Sequence, residues 1–251
     1  MDQRLIAKRF ARARNTYDRA AQVQRAVAAK MLRLVQAYSS GEEGRLMVEV
    51  ECGTGIYSRL LCQELHPGQL LLNDLCPEME ACVSDLPARF QASDAECLPL
   101  PPQTHLITSC SALQWLVHPQ RFFRHCHTSL ANGGLLAFST FGPDNMLQIR
   151  QLTGNGLTYL SLQELKDRLS PPFRLLHTEE ERVTLCFDTP LTLLRHLKET
   201  GVTGTGKQLW TRRRLQAFCD GYLHRYATLD GHVILTYHPI YIVAQKTSET
   251  P

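Results

Sequence analysis

The chain lacks an apolar run of membrane-spanning length, a cysteine pair at CxxC spacing, a low-complexity segment and an internal repeat. The missing run excludes a transmembrane helix, which needs about 20 consecutive apolar residues. The opening MDQRLIAKRFARAR breaks its apolar residues with charge too often for a signal peptide. Nine cysteines is an odd count, so free thiols in a reducing cytosol are expected in place of a disulfide framework. Net charge is low, at +3, and the basic residues are scattered apart from TRRR at 211–214. That leaves no nucleic-acid footprint, although a local basic patch can steer an acidic protein partner. The HCH triplet at 125–127 has no second ligand cluster at matching spacing, and adjacent helical residues point apart, so no metal is expected. The reading is a cytoplasmic protein with no membrane or nucleic-acid partner.

What is present is an ordinary globular composition. At 251 residues and 43% hydrophobic, the chain suits one sizeable domain with an elaboration. Ile6, Phe10, Ala13 and Tyr17 recur at helical spacing, as do Val23, Val27, Met31 and Leu34, so residues 1–40 read as two amphipathic helices. YSSGEEG then breaks the pattern. From residue 45 to 141 short β-type runs alternate with helical ones: LMVEV, a helix over 57–65, QLLLND, a helix over 78–86, HLITSC, a helix over 120–130, and GGLLAFSTF. Such alternation predicts an α/β fold, a parallel sheet with helices on both faces. Residues 142–230 read as an insertion, with helix over about 144–170, one core strand at 181–188 (ERVTLCFD), a helix over 191–200, a mobile link GVTGTGK at 201–207, and a helix over 212–226. Residues 231–251 hold one final strand, HVILTYHPIYIVAQK, and a tail.

Doubly wound sheets bind ligands at the carboxyl ends of their strands, and the first strand–helix turn carries the glycines. Here that turn is Glu51-Cys52-Gly53-Thr54-Gly55. Position 58 is Ser, flanked by Tyr57 and Arg59, and there is no Gly-Lys-Ser/Thr. Neither a dinucleotide fingerprint nor a P-loop is satisfied. Asp74 ends QLLLND about 20 residues further on, the spacing at which an acid can bond ribose hydroxyls. SDAECLPLP, at 93–101, is a polar turn that places Asp94 for an adenine edge. An adenosyl ligand without phosphate fits all three signals.

The run VEVECGTG…LLNDLCPEM…SDAECLPLP…LITSCSALQWL…LANGGLLAFSTFGP resembles the class I S-adenosylmethionine-dependent methyltransferases. Four further segments are similar to the malonyl-[acyl-carrier protein] O-methyltransferases of biotin synthesis: IAKRFARARNTYDRAAQVQRAVAAKML, SALQWL, PLTLLRHLKETGVTGT and LTYHPIYIVAQ. The resemblance implies a Rossmann-like seven-stranded sheet with an amino-terminal helical lid and a helical insertion before the last strand. It implies S-adenosylmethionine as cofactor, and methylation of the free carboxyl of malonyl-acyl-carrier protein or malonyl-CoA. By that likeness Glu49, Gly53 and Gly55 face the methionine end of the cofactor, Asp74 holds the ribose, and Asp94 with Ala95 holds the adenine. Ser109 belongs to the same cofactor set, and Tyr17 closes over it from the lid. The chain departs from the pattern at Glu51, where the family has a glycine. A side chain there is expected to crowd the methionine end, to swing outward, or to pair with the ammonium group. The rival readings are a methyltransferase for another small acid, and a weakened or non-catalytic adenosyl-binding protein.

A malonyl carboxylate is already ionised at pH 7, so the acceptor site needs positioners and no general base. Tyr17, Gln114, Trp115, Tyr237 and His238 are the candidates for shaping the pocket. Arg150, Arg195 and Lys198 are the candidates for a cation that clamps the carboxylate. Each has a plainer alternative: Trp115 as a core aromatic, His238 as a strand histidine, Arg150 as a solvated helix residue. Arg195, Lys198, Lys207 and Arg212 to Arg214 offer a basic face to an acidic carrier protein.

Overall fold

Parallel strands covered on both faces must be apolar nearly throughout, and the alternating runs of the first half meet that demand. The computed structural model describes residues 3–39, 44–202 and 211–247. It begins with two helices, α1 (Gln3–Ala20) and α2 (Gln22–Tyr38). The next units are β1 (Leu46–Val50), α3 (Ile56–Leu65), β2 (Gln69–Asp74), the short α4 (Glu80–Val83) and β3 (Arg89–Ala92). They continue with β4 (Thr104–Ser109), α5 (Pro119–Ser129) and β5 (Leu130–Phe141). The second half carries α6 (Leu147–Thr153), α7 (Leu162–Leu169), β6 (Phe173–Glu180), β7 (Val183–Phe187) and α8 (Pro190–Glu199). It closes with α9 (Arg212–Tyr226), β8 (Val233–Tyr237) and β9 (Pro239–Lys246).

Seven strands form one sheet in the order β3-β2-β1-β4-β5-β9-β6. β1 to β5 pair in parallel, and β9 runs antiparallel to both β5 and β6. This is the Rossmann-like class I arrangement that the resemblance implies. Successive strand residues point to opposite faces, so the core divides in two. Met47, Leu72 and Leu106 pack beneath Val27, Met31 and Val35 of α2 and Leu61 of α3. Val48, Val50 and Ile107 meet Phe122 and Phe123 of α5 on the other face, where Phe123 stacks on Phe138 at 5.7 Å. The order reverses between β2 and β4 on either side of β1, which opens a crevice at the strands' carboxyl ends.

Three expectations change. The sixth strand of the large sheet is Phe173–Glu180, whereas the expected 181–188 strand supplies β7, which pairs with β8 in a separate two-stranded sheet. β6 is an edge strand and mostly half-buried, so its alternation is weak. The closing run splits at His238 into two strands. The Gly142 N–H donates to His238 O at 2.8 Å, and Pro239, which has no N–H, opens β9. The expected helix over 144–170 is two helices, broken at Gly154 (φ +67°) and restarted by a capping box between Ser161 and Glu164. The link at 203–207 lies outside the described residues.

The amino-terminal helices are fastened at both ends. Lys30 of α2 pairs with Glu179 at 2.7 Å and Glu181 at 3.1 Å, and its ammonium lies 4.4 Å over the Tyr241 ring. Thr16 of α1 donates to Glu199 O on α8 at 3.0 Å. Gly201, at φ +71°, lets the Phe10 ring approach so closely that an added Cβ would sit 2.9 Å from it.

Candidate functional site

The turn after β1 holds three residues in the left-handed region within five positions: Glu51 (φ +56°), Gly53 (+56°) and Gly55 (+84°). At Gly55 a Cβ would meet Val83 Cγ1 at 2.6 Å, so only glycine fits. The turn is tied to the end of β2. Cys52 N donates to Asn73 O at 2.8 Å, and Gly53 N donates to Asp74 Oδ2 at 2.8 Å. Asp74 Oδ1 accepts the Cys76 N–H at 2.8 Å. The next loop is fixed in the same way, with Asn73 Nδ2 donating to Ser93 O at 2.8 Å and Asp94 Oδ1 accepting from Glu96 N at 2.9 Å. Above the turn, Thr54 Oγ1 donates to Asp18 Oδ1 of α1 at 2.5 Å.

A cavity opens between these loops and α1. Glu49, Glu51 and Gly53 form its floor, Asp74, Leu75 and Asp94 one wall, and Cys110, Ser111 and Trp115 the opposite wall. Ile6, Phe10, Arg14 and Tyr17, one stripe of α1, cover it. Four carboxyl groups thus face Arg14, the one lysine or arginine among the described lining residues. Burial drives the Glu49 carboxyl up to about 8, with Asp74 adding repulsion. Glu49 Oε2 is buried without a hydrogen-bond partner. Burial raises Glu51 well above the carboxylate range, Asp74 adds to that, and the Leu75 N–H opposes it. Asp74 is raised by burial against the Cys76 and Gly53 amides. Desolvation disfavours the charged forms of these groups, and a cation entering the cavity would restore them.

A second cavity adjoins the first and shares Phe10, Tyr17, Gln24, Ser111 and Trp115 with it. Its own lining includes Gln114, Asn145, Met146, Tyr159 and Tyr237. None of the described lining residues is lysine or arginine. The polar groups are neutral donors. Gln114 Nε2 donates to Ser111 O at 2.7 Å while its Oε1 accepts from Thr140 at 3.1 Å. Tyr159 Oη accepts from Asn145 Nδ2 at 2.9 Å, which leaves its own proton to donate. Tyr237 Oη lies 2.8 Å from His196 Nε2, and burial lowers the His196 pKa. Burial pushes the Tyr17 and Tyr237 hydroxyls above their usual range, so they stay protonated donors.

The structure brings Tyr17, Glu49, Glu51, Gly53, Asp74 and Asp94 to the first cavity, and Tyr17, Gln114, Trp115 and Tyr237 to the second. Ala95 and Ser109 are buried one step behind the wall, beside Asp94 and Cys110. His238 is not on either cavity. Its Nδ1 accepts the Asp144 N–H at 3.1 Å, its Nε2 lies 3.2 Å from Glu180, and its ring fills the space over Gly142. Burial lowers its pKa, which fits a neutral structural histidine at the break between β8 and β9. The cation candidates are also off the cavity. Arg150 donates to Pro143 O and lies 5.6 Å over the Tyr159 ring, behind the wall. Arg195 and Lys198 are exposed because α8 buries Leu193 and Leu197 instead, which turns 195 and 198 to solvent. Lys207 lies outside the described residues. Sequence reasoning missed Tyr159, Asn145 and Gln24. Gln24 had a signal, as a polar residue on the buried stripe of α2.

Among the described residues no helix is long and apolar enough to cross a membrane. A family model described as a methyltransferase domain matches residues 19–205. A malonyl-[acyl-carrier protein] O-methyltransferase of Bacteroides helcogenes is 52% identical, covering 98% of this chain and 99% of that protein. Another of the same name from Bacteroides thetaiotaomicron is 48% identical over 98% of this chain and 99% of its own length. The solved YcgJ protein of Bacillus subtilis superposes with a TM-score of 0.64 at 15% identity, over 88% of this chain and 99% of that one. That last likeness concerns the fold alone.

Proposed function

The chain belongs to the malonyl-[acyl-carrier protein] O-methyltransferases, and from that membership we propose that it methylates the free carboxyl of a malonyl group on acyl-carrier protein, with S-adenosylmethionine as donor. The observation that carries the site assignment is the junction of the two cavities at Tyr17 and Trp115, acidic on one side and lined with neutral donors on the other. The acidic cavity fits a cofactor bearing sulfonium and ammonium charges. Glu49 Oε2, buried and unpartnered, is the acceptor available to the ammonium group, and Asp74 and Asp94 are held by backbone amides with further lone pairs to offer.

When bound, the cofactor supplies an electrophilic methyl group. The chain's own residues then have to place and dry a carboxylate. That nucleophile needs no base, in keeping with a cavity whose polar groups only donate or accept hydrogen bonds. Tyr17, Tyr159 and Tyr237 hydroxyls and the Gln114 amide supply donors, each charge-assisted bond contributing about 1.5–3 kcal/mol. Phe10, edge-on to Trp115 at 5.7 Å, covers the junction and excludes water. Orientation of this kind is worth up to ~7–11 kcal/mol in the best cases. Arg195, Lys198 and Arg212 to Arg214, exposed on the packed pair α8 and α9, are the basic face for an acidic carrier protein. Malonyl-CoA, which carries the same malonyl group without a carrier protein's acidic surface, is then the poorer substrate.

The test is incubation of the protein with methyl-labelled cofactor and either malonyl- or acetyl-carrier protein. Label in an ester on the malonyl form alone is expected. Labelling of a small free acid with neither thioester methylated would overturn the assignment.

A further inference from the structure

Glu51 occupies a position where its backbone, at φ +56°, strongly favours glycine. It lines the cavity together with Asp74 and Asp94, and the pairing of Val50 with Asn73 sets it beside Asp74 where β1 and β2 end. Asp74 itself accepts from Gly53 N on one oxygen and Cys76 N on the other. Two carboxyl groups thus sit side by side at the joined ends of β1 and β2, with Asp74 held by the amides of residues 53 and 76. A pair of this kind holds one proton between its members, since two adjacent buried carboxylates repel. It therefore offers a fixed set of acceptors and one donor, which matches two neighbouring hydroxyl groups and matches an ammonium poorly.

We infer that Glu51 is a second ribose-positioning residue, taking one of the two vicinal hydroxyls of the cofactor's ribose beside Asp74. This rests on the cofactor reading above. It gives a left-handed glutamate a role at a position where glycine would be free of strain, and it departs from all three expectations for Glu51: crowding the methionine end, swinging outward, and pairing with the ammonium group.

The experiment is a protein–ligand double-mutant cycle by calorimetry. Wild type, Glu51→Gly and Glu51→Gln are titrated with S-adenosylhomocysteine and with its 2′-deoxy, 3′-deoxy and deaminated analogues. For wild type, loss of the hydroxyl facing Glu51 should weaken binding about tenfold, the worth of one hydrogen bond. In Glu51→Gly that same penalty should shrink to about threefold or less, while the penalty for losing the amino group stays as in wild type. Glu51→Gly should melt no lower than wild type, so weaker binding cannot be put down to unfolding. Equal hydroxyl penalties in both proteins, or a penalty that moves with the amino group instead, would overturn the inference and leave the cofactor reading standing. No binding of S-adenosylhomocysteine or S-adenosylmethionine by wild type would overturn both.

Discussion

Glu49 is the residue whose environment makes the sharpest quantitative demand. It is 1% exposed, one of its oxygens has no partner, and its pKa rises from an ordinary 4.5 to about 8. A carboxyl raised in the folded state is stabilising below its unfolded pKa, and that contribution is lost as pH rises toward the folded value. The ligand-free protein should therefore lose stability from about pH 4.5 to 8. At about 1.36 kcal/mol per unit, the loss by pH 7 comes to ~3 kcal/mol from this group, and Glu51 and Asp74 push the same way. Glu49→Gln removes the titration with little change of shape. Urea unfolding at pH 5, 7 and 8.5 should show a falling profile for wild type, a flatter one for the variant, and a variant more stable than wild type at pH 8.5. S-adenosylmethionine should reverse the order, because its ammonium favours the ionised Glu49 that only wild type has. A wild-type profile that is flat, or one that survives unchanged in Glu49→Gln, refutes the reasoning.

Tyr159→Phe removes a hydroxyl whose proton is free to donate; malonyl methylation should fall about tenfold or more while calorimetric cofactor affinity stays at the wild-type level. Charge reversal at Arg195 and Lys198 together should raise KM for malonyl-carrier protein several-fold and leave turnover of malonyl-CoA alone, read by steady-state assays of both; equal losses on both would deny the docking face. Methionine at Arg195 or Lys198 singly should leave malonyl-CoA methylation near normal, since neither reaches the cavity. Asp74→Ala should weaken cofactor binding by about 1.5–3 kcal/mol, measured by calorimetry. It should also lower the melting temperature, because it strips the acceptor from the Gly53 and Cys76 amides.

Much of the fold was legible because its signals are local. The buried runs of β1, β2, β4 and β5, the glycine turn and the spacing to Asp74 and Asp94 are properties of neighbouring residues, and they set the sheet and the acidic cavity. Helix α9 was expected over 212–226 and is Arg212–Tyr226. Which sheet a strand joins is another matter, for it depends on partners far along the chain. β3, only four residues long, β6, half-buried at an edge, and the break at His238 left no period to read, so β3 and β6, two of the seven sheet strands, and the small second sheet emerge only in three dimensions. The same holds for the acceptor site. Arg150, Arg195 and Lys198 have the right charge, but the roll of α8 about its buried Leu193 and Leu197, and the packing of Arg150 behind Tyr159, turn them away. Residue type alone told what could bind a carboxylate; helix rotation and the fold of the 154–160 connection decided that tyrosine and amide donors line the cavity.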